Sequence, residues 1–354
     1  MRICSRCLTV FTLALFMNFL GFAPPEARAD DAYFKGKTIT ILRGGRPGGS
    51  GDMQARALIP FLKKHIPGNP DFVVENMPGA AGMTAVNHAY NNVEPDGLTI
   101  TAVGSGLATG AILGLPGVKY DIDKLIYLGS TERGDPYIFV SRKTSGLDTL
   151  AKLKAASGVR IGAQTVGHAV YISGRIFAYM LGLKEPRMVV GFGGRELDIA
   201  LERGEVDVRA NSADTTIRRS GEALEKGEIV VHATLTIPKG KPHPRFADIP
   251  DIDTMVRNER ERRLINLFRT FLYPRWPYVL PPGTPPEIVK TLSEAMVNAF
   301  NDPEFPGLFK KLMGSKPSPL SGEEVEASIN DIPRDAETVA FYKKFAEHGP
   351  VPPR

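Results

Sequence analysis

The feature that most constrains the fold of this chain is a strand–loop–helix unit near its start. An apolar run at residues 39–42 leads into a glycine-rich segment at 43–52, and a helical pattern opens at Met53. Glycines let a chain turn tightly and present several N–H groups, and the start of a helix adds partial positive charge. With Arg43 and Arg46 in the same segment, the pattern indicates either a site for a carboxylate or phosphate, or a purely structural loop of an α/β sheet.

The same unit recurs along the chain, which predicts an α/β fold built from two similar regions. A polar, glycine-containing loop at 164–168 again follows an apolar run and precedes a helical pattern. The pattern predicts strands at 39–42, 72–75, 98–103, 137–140, 159–162, 188–190, 206–208 and 229–235. It predicts helices at 53–65 (interrupted at Pro60), 80–90, 147–155, 170–181, 195–203 and 287–300, with the last of these as the final helix.

The start of the chain has the layout of a secretory signal peptide. Arg2 and Arg6 precede an apolar stretch at 8–22, and a small-x-small cleavage site ends at Ala29. The apolar stretch is short for a membrane span, which disfavours an uncleaved anchor. We therefore expect cleavage after Ala29 and export of the remaining chain, in which no second apolar segment approaches membrane-spanning length.

Cysteine usage and charge exclude several classes of protein. Cys4 and Cys7 are the two cysteines of the chain and both lie in the predicted leader, so the exported part has no disulfide, thiolate metal site or cysteine nucleophile. The formal net charge is +5, and losing three arginines and one glutamate with the leader brings it to about +3. Basic residues cluster at 257–263, where acidic residues are interleaved, so we expect no nucleic-acid partner.

Motifs for nucleotide binding and hydrolysis are missing from the glycine-rich segment. Gly49 is followed by Ser50 and Gly51 rather than by the lysine of a phosphate-binding loop, and the glycines lack the spacing of a dinucleotide site. Neither Ser50 nor Ser105 lies in a Gly-x-Ser-x-Gly nucleophile motif. The six histidines are scattered without metal-ligand spacing, so we expect no cofactor and no metal.

Three polar residues stand at the starts of predicted helices. His168 follows Gln164 and Thr165, where its imidazole could contact a ligand or cap the helix, and the sequence leaves both open. Asp52 and Asp214 are expected to cap the helices that follow them.

Five short segments, taken in order, resemble those of a known family. They are Pro-Gly-Gly-Ser-Gly-Asp at 47–52, Val-Glu-Asn-Met-Pro-Gly-Ala-Ala-Gly-Met at 74–83, Glu-Pro-Asp-Gly-Leu-Thr-Ile at 94–100, the segment 115–121, and Pro-Pro-Gly-Thr-Pro at 281–285. Their order and spacing resemble those of the extracytoplasmic solute receptors of tripartite tricarboxylate transporters, the Bug family. The resemblance extends over essentially the whole exported chain.

This resemblance implies a two-lobed periplasmic binding protein type II fold with a ligand cleft between the lobes. Residues 30–134 and 275–354 would form the first lobe and 135–274 the second, after a signal peptide at 1–29. It further implies a monomeric periplasmic protein without catalytic activity. Such a protein captures a small organic carboxylate, either a di- or tricarboxylate or an aromatic acid, by lobe closure and delivers it to the membrane permease subunits of the transporter.

Two other functions use the same residues. A periplasmic sensor component would present its closed, ligand-bound form through the same cleft. An exported enzyme acting on a small acid is the alternative from a different class, and Ser50, His168 and Asp214 would be its only plausible catalytic group.

The resemblance also assigns ligand-binding residues, on two glycine-containing loops and their neighbours. These residues are Gly48, Gly49, Ser50, Gly51, Gln164, Thr165, Gly167 and His168, with Ser105, Asn211 and Asp214 beside them. Arg46 joins this set because an arginine can bind a carboxylate through two parallel hydrogen bonds. The chain departs from the family pattern where Arg43 and Arg46 occupy a commonly apolar loop, and where Gly51 replaces a frequent threonine.

Overall fold

The computed structural model describes residues 33–104 and 106–354, so the predicted signal peptide and Ser105 lie outside the described residues. The described strands are β1 (Thr38–Arg43), β2 (Asp71–Asn76), β3 (Thr99–Ala102), β4 (Ile126–Ser130), β5 (Tyr137–Arg142), β6 (Arg160–Gly162), β7 (Arg187–Val189), β8 (Val208–Ser212), β9 (Ile229–Leu235), β10 (Pro277–Leu280) and β11 (Leu320–Ser321). The described α-helices are α1 (Ser50–His65), α2 (Met83–Asn92), α3 (Gly106–Ile112), α4 (Leu150–Ala155), α5 (Ala169–Leu181), α6 (Gly194–Arg203), α7 (Ala213–Glu225), α8 (Glu259–Phe271), α9 (Pro286–Asn301), α10 (Phe305–Met313), α11 (Gly322–Asn330) and α12 (Ala336–Ala346). None of these helices is long and apolar enough to cross a membrane.

The first sheet has six strands in the order β11-β4-β10-β3-β1-β2. β1 pairs in parallel with both β2 and β3, while β10 lies antiparallel between β3 and β4. β1 is the inner strand of the parallel part, and its Ile39 and Ile41 are fully buried, as expected of a parallel strand covered on both faces. A strand from late in the chain therefore completes the sheet that the N-terminal half begins.

The second sheet has five strands in the order β7-β6-β8-β5-β9, all from the middle of the chain. β6 pairs in parallel with β7 and β8, and β5 runs antiparallel to β8 and β9. The two sheets with their covering helices form the two lobes, so the predicted two-lobed α/β fold is confirmed. The predicted lobe boundaries remain a prediction.

The C-terminal helix α12 packs against helices of the second sheet. Its Phe341 and Phe345 meet the ring of Tyr179 on α5 edge to face, at 5.9 and 5.3 Å between ring centroids. The Arg175 guanidinium, also on α5, donates hydrogen bonds to the carbonyls of Lys344 and Pro350 at 2.8 Å. The end of the chain is thereby fixed to α5, whose residues 170–181 are all buried.

Two predictions about the helices are wrong. Pro60 does not interrupt α1, because it is exposed while the next residue, Phe61, is buried against Phe305 at 5.4 Å between ring centroids. Packing of that face outweighs the hydrogen bond that proline removes. The helix at 287–300 is also not the final one, since α10, α11 and α12 follow it. A capping box between Ser321 and Glu324 marks the start of α11 and is readable in the sequence.

Candidate ligand-binding cleft

The predicted site loops lie at the carboxyl ends of parallel strands in both sheets. β1 runs through residues 44–49 into α1, and β6 runs through residues 163–168 into α5. Ligands of open α/β sheets bind at this edge, where loops leave the strands and helices begin. No hydrogen bond or ion pair joins the two loops among the described residues, so each is able to contact a ligand on its own.

The start of α1 presents unsatisfied hydrogen-bond donors. Its N-cap is Gly49, which has no side chain to cap the helix. In the described part of the chain, no group accepts a hydrogen bond from the amides of Ser50, Gly51 or Asp52. The amides of Gly48 and Gly49 are used within the loop instead, by Asp52 Oδ2 at 3.0 Å and by a backbone carbonyl at 3.2 Å. An anion at this helix start would therefore bind to residues 50–52 rather than to 48–49.

Asp52 stabilises this loop. The expectation that Asp52 caps α1 is wrong, because the N-cap of α1 is Gly49. It lies in the first turn, is buried, and accepts hydrogen bonds from Gly48 N and from Arg56 Nε, each at 3.0 Å. Burial alone would raise the pKa of Asp52, but the hydrogen bonds from Arg56, Gly48 and Asn76 outweigh it and lower the pKa. The carboxylate is thus ionised and already paired, which leaves the free amides to a ligand.

Arg43 belongs to the last position of β1 rather than to the loop, and it is 3% exposed. Its Nη1 donates a hydrogen bond to the carbonyl of Ala102 at 2.5 Å, while its Nε has no partner in the part of the chain that the structure describes. Among the described residues, no carboxylate forms an ion pair with it. Burial lowers the pKa of Arg43, yet an arginine remains charged. Arg46, by contrast, is exposed at the loop surface.

Trp276 lies beside the same helix start and was not predicted as a site residue. Its indole Cζ3 would be 2.9 Å from a Cβ on Gly51 and 3.3 Å from a Cβ on Gly104. The same Cβ on Gly51 would be 1.8 Å from Nη2 of Arg43. Glycine at position 51 therefore makes room for both the guanidinium and the indole, which explains the departure from the family's threonine.

The loop of the second lobe exposes Thr165, Gly167 and His168. Nδ1 of His168 accepts a hydrogen bond from Val170 N at 3.1 Å, so the imidazole caps α5. Although the residue as a whole is exposed, surrounding protein displaces water from the ring and lowers the pKa of His168. A neutral imidazole that accepts at Nδ1 carries its proton on Nε2, so capping leaves one donor free for a ligand.

The start of α6 adds a polar cluster that sequence reasoning missed. A Cβ on Gly194 would lie 3.1 Å from Nη1 of Arg219 and 3.5 Å from Nε2 of Gln164, so both side chains converge on this turn. Nη1 of Arg219 is also 3.5 Å from Oδ2 of Asp198, whose other oxygen pairs with the buried Arg209. Oε1 of Gln164 is buried and has no partner within residues 33–104 and 106–354.

Asn211 and Asp214 have different surroundings at the end of β8. Asn211 is 7% exposed, and no described residue forms a hydrogen bond with its Nδ2. Asp214 lies in the first turn of α7, whose N-cap is Ser212, so the expected cap is wrong. Its amide donates to Oδ2 of Asp135 at 3.1 Å, and its own carboxylate is 3.3 Å from Nε2 of His243. Burial and the charge of Asp214 raise the pKa of Asp135 to about 7.

The three residues of the enzyme alternative do not form a catalytic group. His168 Nδ1 is occupied by a backbone amide, and Asp214 faces His243. No hydrogen bond links Ser50 to either of them in the part of the chain that the structure describes. Within those residues there is also no group of three or more histidine, cysteine, aspartate or glutamate side chains placed to hold a metal ion.

Comparison with solved structures finds proteins of similar fold. A TctC solute-binding protein from Polaromonas, solved without ligand, matches 87% of this chain and 97% of its own at 20% identity and a TM-score of 0.65. MatC from Rhodopseudomonas palustris with bound malate matches 88% and 99% at 19% identity and a TM-score of 0.57. A second R. palustris protein, with adipate, matches 88% and 96% at 20% identity and a TM-score of 0.58.

These similarities show the fold, and the resemblance found in the sequence is confirmed at that level. No family model matches the chain, and a search of curated proteins gives no match.

Proposed function

We propose that this chain is a periplasmic solute-binding protein of the Bug family that captures a small organic carboxylate between its lobes. The observation that carries this proposal is the uncapped start of α1. Among the described residues, three free amides at positions 50–52 lie beside Arg43, a buried cation that forms no ion pair with a carboxylate. Helix N-termini with free amides bind anions, and a nearby buried charge acts in a low dielectric where it is weakly screened.

The second lobe carries polar groups that a bound ligand would contact when the lobes close. Nδ2 of Asn211 and Oε1 of Gln164 are buried without partners among the described residues, and a buried polar group gains free energy when a ligand satisfies it. Nε2 of His168 and the exposed part of Arg219 add donors on the same lobe. Closure would then be driven by the contacts that a ligand makes with both lobes at once.

The related structures support a carboxylate as the ligand class. MatC holds malate and the second R. palustris protein holds adipate, within the same fold. By this proposal the chain delivers its ligand to the membrane permease subunits of a tripartite tricarboxylate transporter, acts as a monomer in the periplasm after cleavage at Ala29, and has no catalytic activity. The proposed lobes are residues 30–134 with 275–354, and residues 135–274, with α12 of the first set packed on α5 of the second.

The test is thermal unfolding of the purified protein against mono-, di- and tricarboxylates, aromatic acids and phosphate esters. A ligand at a hundred times its dissociation constant stabilises the fold by about 2.7 kcal/mol, which raises the melting temperature by roughly 2–4 °C in a chain of this size. We expect shifts with particular carboxylates only. Shifts with none of them would disprove the proposal, and conversion of a bound acid to product would favour the enzyme.

A matched pair of glycine substitutions locates the site. Gly51→Ala places a methyl group on the Arg43 guanidinium, whereas Gly221→Ala, also within a helix, meets no atom within 4 Å. We expect Gly51→Ala to abolish the ligand-induced shift and Gly221→Ala to retain it. Equal shifts in both variants would place the ligand away from the start of α1.

A further inference from the structure

A groove at the β11–β4 edge of the first sheet is separate from the proposed anion site. It lies between α9 and α11 and has a volume of about 780 Å³. A second pocket of about 450 Å³ shares Val297 with it and continues to Arg133. The walls follow α9 from Val289 to Asn301, a length of about 18 Å. Residues 43–52 do not line this α9–α11 groove, so an occupant of it does not displace a ligand at the start of α1.

The floor of the α9–α11 groove is apolar. Val289 and Val297 lie about two turns apart on α9, and Ile126 of β4 lines the same groove. Val297 is 38% exposed, although its neighbour Met296 is fully buried in the core, and Val289 and Ile126 are half-buried. Apolar side chains that lie together at a surface and have polar neighbours mark an interaction site.

Carboxylates border this floor on both sides. Glu294 on α9 and Glu323 and Glu326 on α11 are exposed, and none of the three forms an ion pair within the described part of the chain. Lys124, which lines the same groove, is 3.7 Å from Asp121. Glu323 lies in the first turn of α11, where a negative charge stabilises the helix itself. Glu294 lies in the middle of α9, so the helix dipole does not explain it.

Charge and backbone geometry restrict what can occupy the groove. The exported chain has a net charge of about +3, so the acidic groove is opposite in sign to the protein as a whole. Its carboxylates repel anionic lipid headgroups and nucleic acids and attract a basic partner. A Cβ on Gly322 would collide with the carbonyl oxygen of Tyr127, so the start of α11 abuts the backbone of β4. Because this edge is covered, the partner is held by its side chains rather than by strand pairing.

We infer that the α9–α11 groove docks a basic amphipathic helix of a partner protein. Apolar side chains on one face of that helix lie along Val289 and Val297. Lysines or arginines beside the apolar face pair with Glu294 and Glu326. A helix of about three turns matches the length of the groove. This inference goes beyond the proposed function and does not depend on it.

Fluorescence anisotropy with a labelled peptide tests the inference on the purified protein. The probe is a lysine–leucine–alanine peptide of about 14 residues, in which the leucines form one helical face and the lysines flank it. We expect it to bind at least tenfold more tightly than a scrambled peptide of the same composition. A counterpart with glutamate in place of lysine should not bind. Equal binding of the probe and the scrambled peptide, or no binding of the probe, would overturn the inference.

Charge reversals locate the binding surface. Glu294→Lys with Glu326→Lys should weaken the probe at least tenfold. Glu202→Lys with Glu205→Lys, at exposed glutamates of the second lobe, makes the same change in net charge and should weaken it less than threefold. Equal losses in the two double variants would show that the probe responds to net charge alone and would overturn the inference.

A second pair of variants tests the apolar floor. Val297→Asp should weaken the probe at least tenfold, whereas Ile199→Asp on α6, a helix position of similar exposure, should retain binding. Sedimentation of the natural protein distinguishes the other occupant. A dimer that Val297→Asp dissociates would show that a second copy of this chain covers the groove, and would overturn the inference. Each of these overturning results would leave the carboxylate-induced melting shifts, and with them the proposed function, unaffected.

Discussion

Each lobe buries one arginine on its sheet, and the two arginines have opposite environments. Arg209 on β8 forms an ion pair with Asp198, so its charge is neutralised inside the protein. Arg43 on β1 is hydrogen-bonded to a carbonyl and has no carboxylate partner among the described residues. A buried charge without a counterion is costly. The comparison indicates that Arg209 stabilises the folded protein. The free-energy cost of burying the charge of Arg43 is offset when an anion binds nearby.

The largest effect is expected from removing the paired arginine. Arg209→Met leaves the buried Asp198 with only the longer contact to Arg219 at 3.5 Å among the described residues. Breaking one side of a buried pair costs about 3–5 kcal/mol, and urea unfolding should show a loss of that size. A loss under about 1 kcal/mol would mean that Arg219 replaces Arg209 and that the pair is not structural.

Removal of the unpaired arginine should affect binding instead. Arg43→Met takes away a charge that forms no ion pair among the described residues, together with one hydrogen bond and the contact of the guanidinium with the Trp276 ring, so the free energy of unfolding should change by no more than about 1 kcal/mol. Affinity for the carboxylate should fall about 100-fold, equivalent to about 2.7 kcal/mol, as measured by calorimetry. Arg203→Met, at an exposed arginine at the end of α6, is the control and should change affinity less than threefold. A destabilised Arg43→Met variant with normal affinity would remove the contrast between the two lobes.

The different environments of these arginines also show which structural features could not be predicted from the sequence. The apolar pattern ends at Leu42, so Arg43 was placed in the loop, but β1 extends one residue further because Arg43 pairs with Asn76 on β2 and Ala102 on β3. Local pattern predicted the strand, whereas its end depends on partners far along the chain. The Arg209–Asp198 pair joins a strand to a helix and has no local signal.

The position of both candidate loops between a strand and a helix was predictable, but the contacts within them were not. The two glycine-containing loops were identified because helix starts after strands have a recognisable composition. Trp276 was missed because β10 enters the first sheet from a distant part of the chain, between β3 and β4. Its being the single tryptophan, close to the Pro-rich segment at 281–285, was the one available signal. The capping role of His168, one of two readings left open, is shown by its contact with Val170 N.

A pH effect distinguishes the segment between β4 and β5 from the interiors of the lobes. Because burial raises the pKa of Asp135 to about 7 in the folded protein, its contribution to stability is complete below the unfolded pKa near 4 and is lost as pH rises through 7. The size should be on the order of 2 kcal/mol, reduced because the carboxyl is partly exposed. Unfolding at pH 5 and pH 8 should show this loss in the natural protein.

Asp135→Asn provides the control for that measurement. The amide oxygen can still accept the hydrogen bond from Asp214 N, but it does not titrate. The difference between the two proteins cancels groups that titrate in the same window, such as His232, whose pKa is lowered to about 4 by burial. An identical pH dependence in both proteins would show that Asp135 is ionised throughout and hydrated in the cleft.

The smallest effects should come from the two helix starts, which differ in their caps. α5 is capped by His168, and His168→Ala should lower the free energy of unfolding by about 1 kcal/mol. α1 has Gly49 at its N-cap, with φ −72° and ψ 164°, a conformation open to other residues. Gly49→Asp should raise the free energy of unfolding by a few tenths of a kcal/mol, because aspartate caps better than glycine.

The same change should abolish carboxylate binding, since the new side chain occupies the amides that the ligand needs. Gly49→Ala introduces the same Cβ, 3.2 Å from the carbonyl of Arg46, without a capping group, and should retain binding. Opposite changes in stability and affinity for Gly49→Asp would show that α1 lacks a cap because the ligand serves as one. If Gly49→Asp binds carboxylates normally, the anion site lies elsewhere in the cleft, and the contrast between a capped and an uncapped helix start has no functional meaning.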